Sequence, residues 1–345
     1  MHAVWIQMTK RSPTTLGAGT HIVFDTSGRD RLRDLGAMNL VCACGSPTTG
    51  PCRRDIDEYV RLRQKFYRTD ETWDDLYSSE IRWETPVVVW VTPNLQHQLE
   101  LWRTCSWLRD KGISRQDILI VNLPPCPQGP DAPPFTEPFQ CSDCVFHHSN
   151  EVLEAHLAAA HAWPRKRYDN AVALWEQFVE PDPRPFARRC RRGLGGFPEL
   201  GSVWAFLSRF FPRLSADRTL HLSRYDELLL QAMSGRWKTP LKVYINDTIQ
   251  ARYDFIHCVG DITVTLRLAA WGEHDGGRAV ERAPGPKGPE YLMLSSVYRL
   301  TKHGKQMRER LTNLGDAPRL PVGGAEAYAL EAPWVVCDDG RLVRL

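Results

Sequence analysis

The sequence predicts an α/β domain on a parallel sheet at its N-terminus, and three apolar runs carry that expectation. Residues 20–24, 86–91 and 118–121 lack the polar alternation of a half-exposed strand. A strand without alternation buries both faces, so helices must cover each side of its sheet. The segments between these runs have helical spacing, which gives the strand–helix alternation of a parallel α/β domain.

Taken in order, residues 20–24 (Thr-His-Ile-Val-Phe) form the first strand and close on the polar turn Asp25-Thr26-Ser27-Gly28. Residues 29–35 read as a helix, residues 40–43 as a second strand, and residues 55–68 as an amphipathic helix. The run at 86–91 is a fully apolar strand. Residues 95–109 follow as a helix, with Leu95, Leu99, Trp102 and Leu108 near helical spacing, and residues 117–122 hold the next strand. The Pro/Gly-rich stretch 124–138 cannot form a regular element and closes a first domain, residues 1–130. A small unit, residues 136–165, comes next. Residues 166–215 form a helical segment, with breaks at Pro181-Asp182-Pro183 and at residues 193–198, and a helix over 203–211. Residues 216–345 make the last domain. Helices are expected at 224–233, 240–250 and 261–271, strands at 291–294 and 297–300, and a helix from the Thr301 cap to Leu311. Three helices, a β-wing and a further helix form a winged-helix-like order.

Composition narrows the function classes. A net charge of +3, from 44 Lys+Arg against 41 Asp+Glu, excludes a polybasic coat protein but not a local basic face. No stretch approaches the roughly 18 apolar residues of a membrane span, and residues 1–10 lack a signal-peptide core. A cytoplasmic protein with no membrane partner is therefore expected. Its 10 cysteines fall partly in short pairs, which in a reducing compartment bind metal more often than they form disulfides.

The sharpest motif is Cys141-x-x-Cys144, then His156, then His161. Two thiolates and two imidazoles are the ligand set of a tetrahedral structural zinc. The Cys pair grips the ion from a turn. His156 and His161 are expected about one turn apart on a helix starting near Ser149. Phe139 and Leu153 would supply a small core. This unit resembles the classical ββα zinc finger, with His148 where that family places an aromatic residue; His147 or His148 is an alternative ligand. Four protein ligands leave no open position, so catalysis at this zinc is not expected. The base-facing positions Ser149, Val152 and Ala155 offer no Arg, Asn or Gln, and Glu151 and Glu154 repel phosphate. The finger thus predicts a protein partner before a nucleic acid.

Weaker constellations remain. Cys42, Cys44 and Cys52 are either buried thiols or part of a second metal site. Asp25-Thr26-Ser27-Gly28 sits where α/β folds bind ligands, or simply caps a helix. His21 is either a base or a packed strand residue. The basic runs 165–167 and 188–192 are phosphate contacts or solvated faces. In the winged-helix-like part, Thr263, Thr265 and Arg267, with Lys287 and Arg299, are a thin basic complement for a DNA reader.

The chain as a whole resembles a bacterial family known only as a domain of unknown function. The likeness rests on His21-Ile-Val-Phe-Asp-Thr-Ser27 with Leu32-Arg33, on Val89-Trp90 with Gln98-Leu99-Glu100-Leu101, and on Trp175 with Pro181-Asp182-Pro183. A fourth stretch is residues 222–229 with Gly260-Asp261. The family's Gly-Asp falls on Asp25-Thr26 here, its His-Asp pair on Pro93-Asn94, and its next acidic position on His97. The resemblance therefore implies a degenerate site at His21, Asp25, Ser27 and His97. The leading expectation is a zinc-binding adaptor or regulator without catalysis. The alternatives are a winged-helix DNA-binding regulator and an enzyme acting on a phosphorylated or nucleotide substrate in the N-terminal domain.

Overall fold

The computed structural model describes residues 16–69, 74–78, 80–125, 145–245, 259–274 and 278–345. Its first half runs β1 (Thr20–Val23), α1 (Thr26–Asp34), β2 (Asn39–Cys42), β3 (Gly50–Pro51), α2 (Ile56–Tyr67), β4 (Val87–Val91), α3 (Leu95–Asp110), β5 (Ile118–Asn122) and α4 (Asn150–Ala158). Four of these strands form one parallel sheet in the order β2-β1-β4-β5. The expected α/β sheet is present. Its register sets Ile22 beside Val41 and Val89, and Val89 beside Ile120. That row enters the main core, with Leu99 and Trp102 of α3. The neighbouring rows, including Val23, Cys42, Val88, Trp90 and Val121, enter a second core with Leu32 of α1 and Leu153 and Leu157 of α4. Two cores explain why the strands do not alternate.

From His97 to Leu108 every residue of α3 is buried, so its polar groups need partners inside the protein. Arg103 and Glu100 partner each other and the neighbouring elements. The Arg103 guanidinium bonds Glu100 Oε2 and Asp74, and reaches the Tyr77 hydroxyl at 2.7 Å. Glu100 Oε1 accepts in turn from the Ser46 amide at 2.8 Å, which ties the loop after β2 to α3.

The expected finger is altered where it can be compared. Its Phe139, Cys141 and Cys144 lie outside the described residues. Leu153, expected in a private core, is instead buried in the second core of the sheet. His161 is not on the helix. The helix closes at Ala159, and the free edge of β5 then claims the chain: the Ile120 amide donates to the His161 carbonyl at 3.1 Å. An unpaired edge amide is a stronger demand than one more helical residue.

The chain continues through α5 (Arg165–Phe178), α6 (Arg184–Arg192), α7 (Leu200–Leu207), β6 (Arg213–Leu214) and β7 (Leu220–His221). α5 lies on α3, where the Tyr168 hydroxyl donates to the Cys105 carbonyl at 2.7 Å. The basic runs are partly occupied: Arg167 lies over Trp163, and Arg189 donates to Asn170. Then come α8 (Arg224–Ala232), α9 (Pro240–Tyr244), α10 (Asp261–Glu273), β8 (Val280–Pro284), β9 (Ser296–Leu300), α11 (Lys302–Glu309), β10 (Leu320–Gly323), β11 (Ala325–Ala327), β12 (Trp334–Cys337) and β13 (Leu342–Arg344). β10 pairs in parallel with β3, and β12 with β6, so the last strands bind the first and middle parts of the chain. Gly324 permits this closure, because a Cβ there would lie 1.9 Å from the Val179 carbonyl oxygen.

The hairpin is not the expected one. Residues 291–294 form a turn, and β9 pairs instead with β8, Val280 opposite Leu300. Gly285 lets the two chains close at its base, since a Cβ would meet the Leu294 carbonyl oxygen at 2.1 Å. The Thr301 cap is present, its hydroxyl accepting from the Gly304 amide at 3.0 Å. Thr263, Thr265 and Arg267, expected on a reading face, are buried. Arg267 grips Asp226 with Nε at 2.7 Å and Nη2 at 2.8 Å, and Trp271 Nε1 adds a bond at 2.8 Å.

Burial pushes the Asp226 carboxyl up, but the Arg267 guanidinium and these bonds overcome it and hold the group below its ordinary value. Its contribution is present above the ordinary carboxylate range and lost as pH falls through the lowered value. Asp226→Ala strands a buried guanidinium and should destabilise by about 3–5 kcal/mol in urea unfolding at pH 7. A cost under about 1 kcal/mol, the usual worth of an exposed pair, would show the pair to be incidental.

Candidate functional site

The sheet order reverses beside β1: β2 lies on one side and β4 on the other. α1 leaves β1 for one face, while α3 leaves β4 for the other. The C-terminal ends of two strands whose helices diverge are the usual ligand position of open α/β sheets. Both helices start there. Asp25 is the extended N-cap of α1, and its carboxylate accepts from the Gly28 amide. Asn94 is the N-cap of α3 and accepts from the Gln96 amide at 2.8 Å.

Sequence reasoning named four candidates here, and the structure brings two of them together. Asp25 Oδ2 lies 3.7 Å from His97 Nε2 and has no hydrogen-bond partner among the described residues. His97 is buried, with the Phe24 ring edge-on at 5.4 Å and Nδ1 at 2.7 Å from the Thr92 hydroxyl. Burial lowers His97 to about 3, so its ring is neutral through the physiological range. Asp25 is raised, chiefly by burial, against the pull of the Gly28 amide and of His147. A sheltered carboxyl that burial raises against such neighbours is a candidate for proton exchange.

The other two are placed elsewhere. His21 is buried in the strand row facing the second core, its Nδ1 accepting from Trp90 Nε1 at 3.1 Å. Burial lowers it to about 4, and it packs as a core residue. Ser27 is exposed on the first turn of α1. Thr92 was missed as a contributor, and Asn94 was named only as the place where the family has an acidic residue. Their signal was available: polar residues directly after an apolar strand and before a helix, where N-caps fall.

The cysteines divide. Cys42 and Cys44 share a thiol hydrogen bond, which with burial raises Cys42. Cys52 is separate, its thiol directed to the Pro47 and Gly50 carbonyls and raised by burial to about 11. Among the described residues, no three His, Cys, Asp or Glu side chains form a metal-holding group. Of the expected zinc ligands, His156 is half-buried on α4. His161 is exposed on the sheet edge, its Nδ1 3.2 Å from the Ala159 carbonyl. His148, the alternative, is buried; its Nε2 has no partner among the described residues, and burial followed by His147 and His156 lowers it.

No family model, curated protein or solved structure matches the chain. Among the described residues, no helix is long and apolar enough to cross a membrane.

The raised Asp25 has a measurable consequence. A carboxyl raised by folding stabilises fully below its ordinary range, and that contribution is lost as pH rises through the higher folded value. Ionised Asp25 thus costs stability at pH 7, while Asn caps a helix equally well. Asp25→Asn should raise stability at pH 7, with the gain vanishing below the ordinary aspartate range. A loss at pH 7 in differential scanning fluorimetry would contradict the assignment.

Proposed function

We propose that the chain binds a phosphorylated small molecule in the crevice between β1 and β4, and that Asp25 exchanges a proton with it. The observation that carries this reading is the Asp25–His97 approach of 3.7 Å at the point where the strand order reverses. The N-termini of α1 and α3 both begin there, which favours a negatively charged group. We take the Thr92 hydroxyl, which accepts from the Asn94 amide at 3.4 Å, as the donor to His97 Nδ1. His97 then carries its proton on Nε2, facing Asp25, and acts as a positioning residue. Asp25 is the acid–base group, since its carboxyl holds a proton above the ordinary range.

The reading is tested by thermal shift with nucleoside phosphates and sugar phosphates. At least one should raise the unfolding midpoint with dose, by about 2.7 kcal/mol of stability at one hundred times Kd. Thr26→Trp, at an exposed position at the start of α1, should abolish the response. If no phosphorylated compound shifts the midpoint, or the variant responds like wild type, the crevice is not the site.

A structural zinc in a protein-docking element is the second reading, favoured by the partnerless His148 Nε2 beside His147 and His156. His148 replaces His161 as the fourth ligand beside Cys141, Cys144 and His156. Plasma emission should then give one zinc per chain, lost in Cys144→Ser and in His148→Ala but retained in His161→Ala. Zinc-free protein purified without chelator would end this reading. The order α8, α9, α10, hairpin, α11 supports a winged-helix-like reading of the C-terminal part. With Thr263, Thr265 and Arg267 buried, that part is read as scaffold before DNA reader.

A further inference from the structure

A second concavity lies on the same edge of the sheet, outside β2. Its volume is about 200 Å³, and it is closed by the loop after β2, one face of α2 and the first turn of α10. An apolar cavity of about 150 Å³ already holds a benzene ring, so this one has room for a single or compact fused ring. Tyr59, Val60 and Tyr67 from α2 and Ile262 from α10 give it flat, mostly apolar walls.

Its polar groups decide what kind of ring fits. Arg63 is buried, but its guanidinium is spent on the Gly45, Ser46 and Thr49 carbonyls and on the Tyr67 hydroxyl. Asp74 is held by Arg103. The Thr263 hydroxyl is 3.2 Å from that of Thr49. The half-buried Asp261 is different. Its Oδ1 accepts from the Ile262 amide at 2.7 Å, and no bond to Oδ2 is present among the described residues. With its cation committed and a carboxylate oxygen left over, the cavity disfavours an anion and favours a flat group that donates N–H bonds.

We infer that this cavity seats a planar nitrogen heterocycle of nucleobase size, packed against Tyr67 and Val60 of α2 and donating an N–H to Asp261. The seat adjoins the crevice. Ser46 in its wall accepts from Gln96 Nε2 at 2.9 Å, and the next residue of α3 is His97. The inference narrows the proposed ligand to a nucleotide, and to that extent it rests on the reading of the crevice. The seat itself takes a ring without phosphate.

The test is calorimetric titration of the full chain with adenosine, guanosine, cytidine and uridine. At least one should bind with a Kd below 1 mM, on the order of 4 kcal/mol of binding free energy. Val60→Phe, which fills the cavity, should abolish binding. Asp261→Asn, at a half-buried position, should weaken it about tenfold. Absence of nucleoside binding at 10 mM, on the order of 3 kcal/mol, would overturn the inference. So would affinities unaltered in both Val60→Phe and Asp261→Asn. Phosphorylated compounds that bind while nucleosides do not would leave the crevice standing and remove the ring seat.

Discussion

Burial of one parallel sheet on both faces is the constraint on which the rest of the structure depends. Ile22, Val41, Val89 and Ile120 fill one core, while Val23, Val88, Trp90 and Val121 fill the other. Helices must therefore leave the strands on opposite sides. Because β1 and β4 are neighbours whose helices diverge, their C-terminal ends are the place where open α/β sheets bind ligands. Asp25 and Asn94 fall there as the caps that both helices require, and the cap of one lies beside the first turn of the other.

Buried charge supplies a second layer of specification. α3 lies between the sheet and α5, so Glu100 and Arg103 have no route to solvent. Their network with Asp74 fixes the loop after β2, which walls the neighbouring cavity. Asp226 and Arg267 do the same for α8 and α10. An apolar core of similar volume would be as stable, yet it would not fix register in this way.

Much of this was legible in residues 20–24, 86–91 and 118–121, because a strand buried on both faces shows no alternation. Asp25 and Thr301 were readable as caps, since cap chemistry is local. What the sequence hid depends on distant partners. His161 follows a helical pattern, but the open edge of β5 takes its carbonyl instead. Arg267 resembles an exposed basic residue until Asp226, 41 positions away, is brought against it. β8 contains Pro284 and two charged residues, so only its pairing with β9 identifies it as a strand. His97 was reachable by resemblance, but its burial and its approach to Asp25 required the fold.

The central claim is that a neutral His97 holds a proton on Nε2 against an Asp25 carboxyl raised by burial. Imidazole nitrogen spectra of labelled protein, with His97→Gln for assignment, test it most directly. The account predicts a neutral Nε2–H ring from pH 5 to pH 8, around the ordinary histidine value of about 6.5. Its shifts should follow one carboxyl titration above the ordinary aspartate range, absent in Asp25→Asn. A His97 that charges near its ordinary value, or whose signals ignore Asp25, would contradict the account.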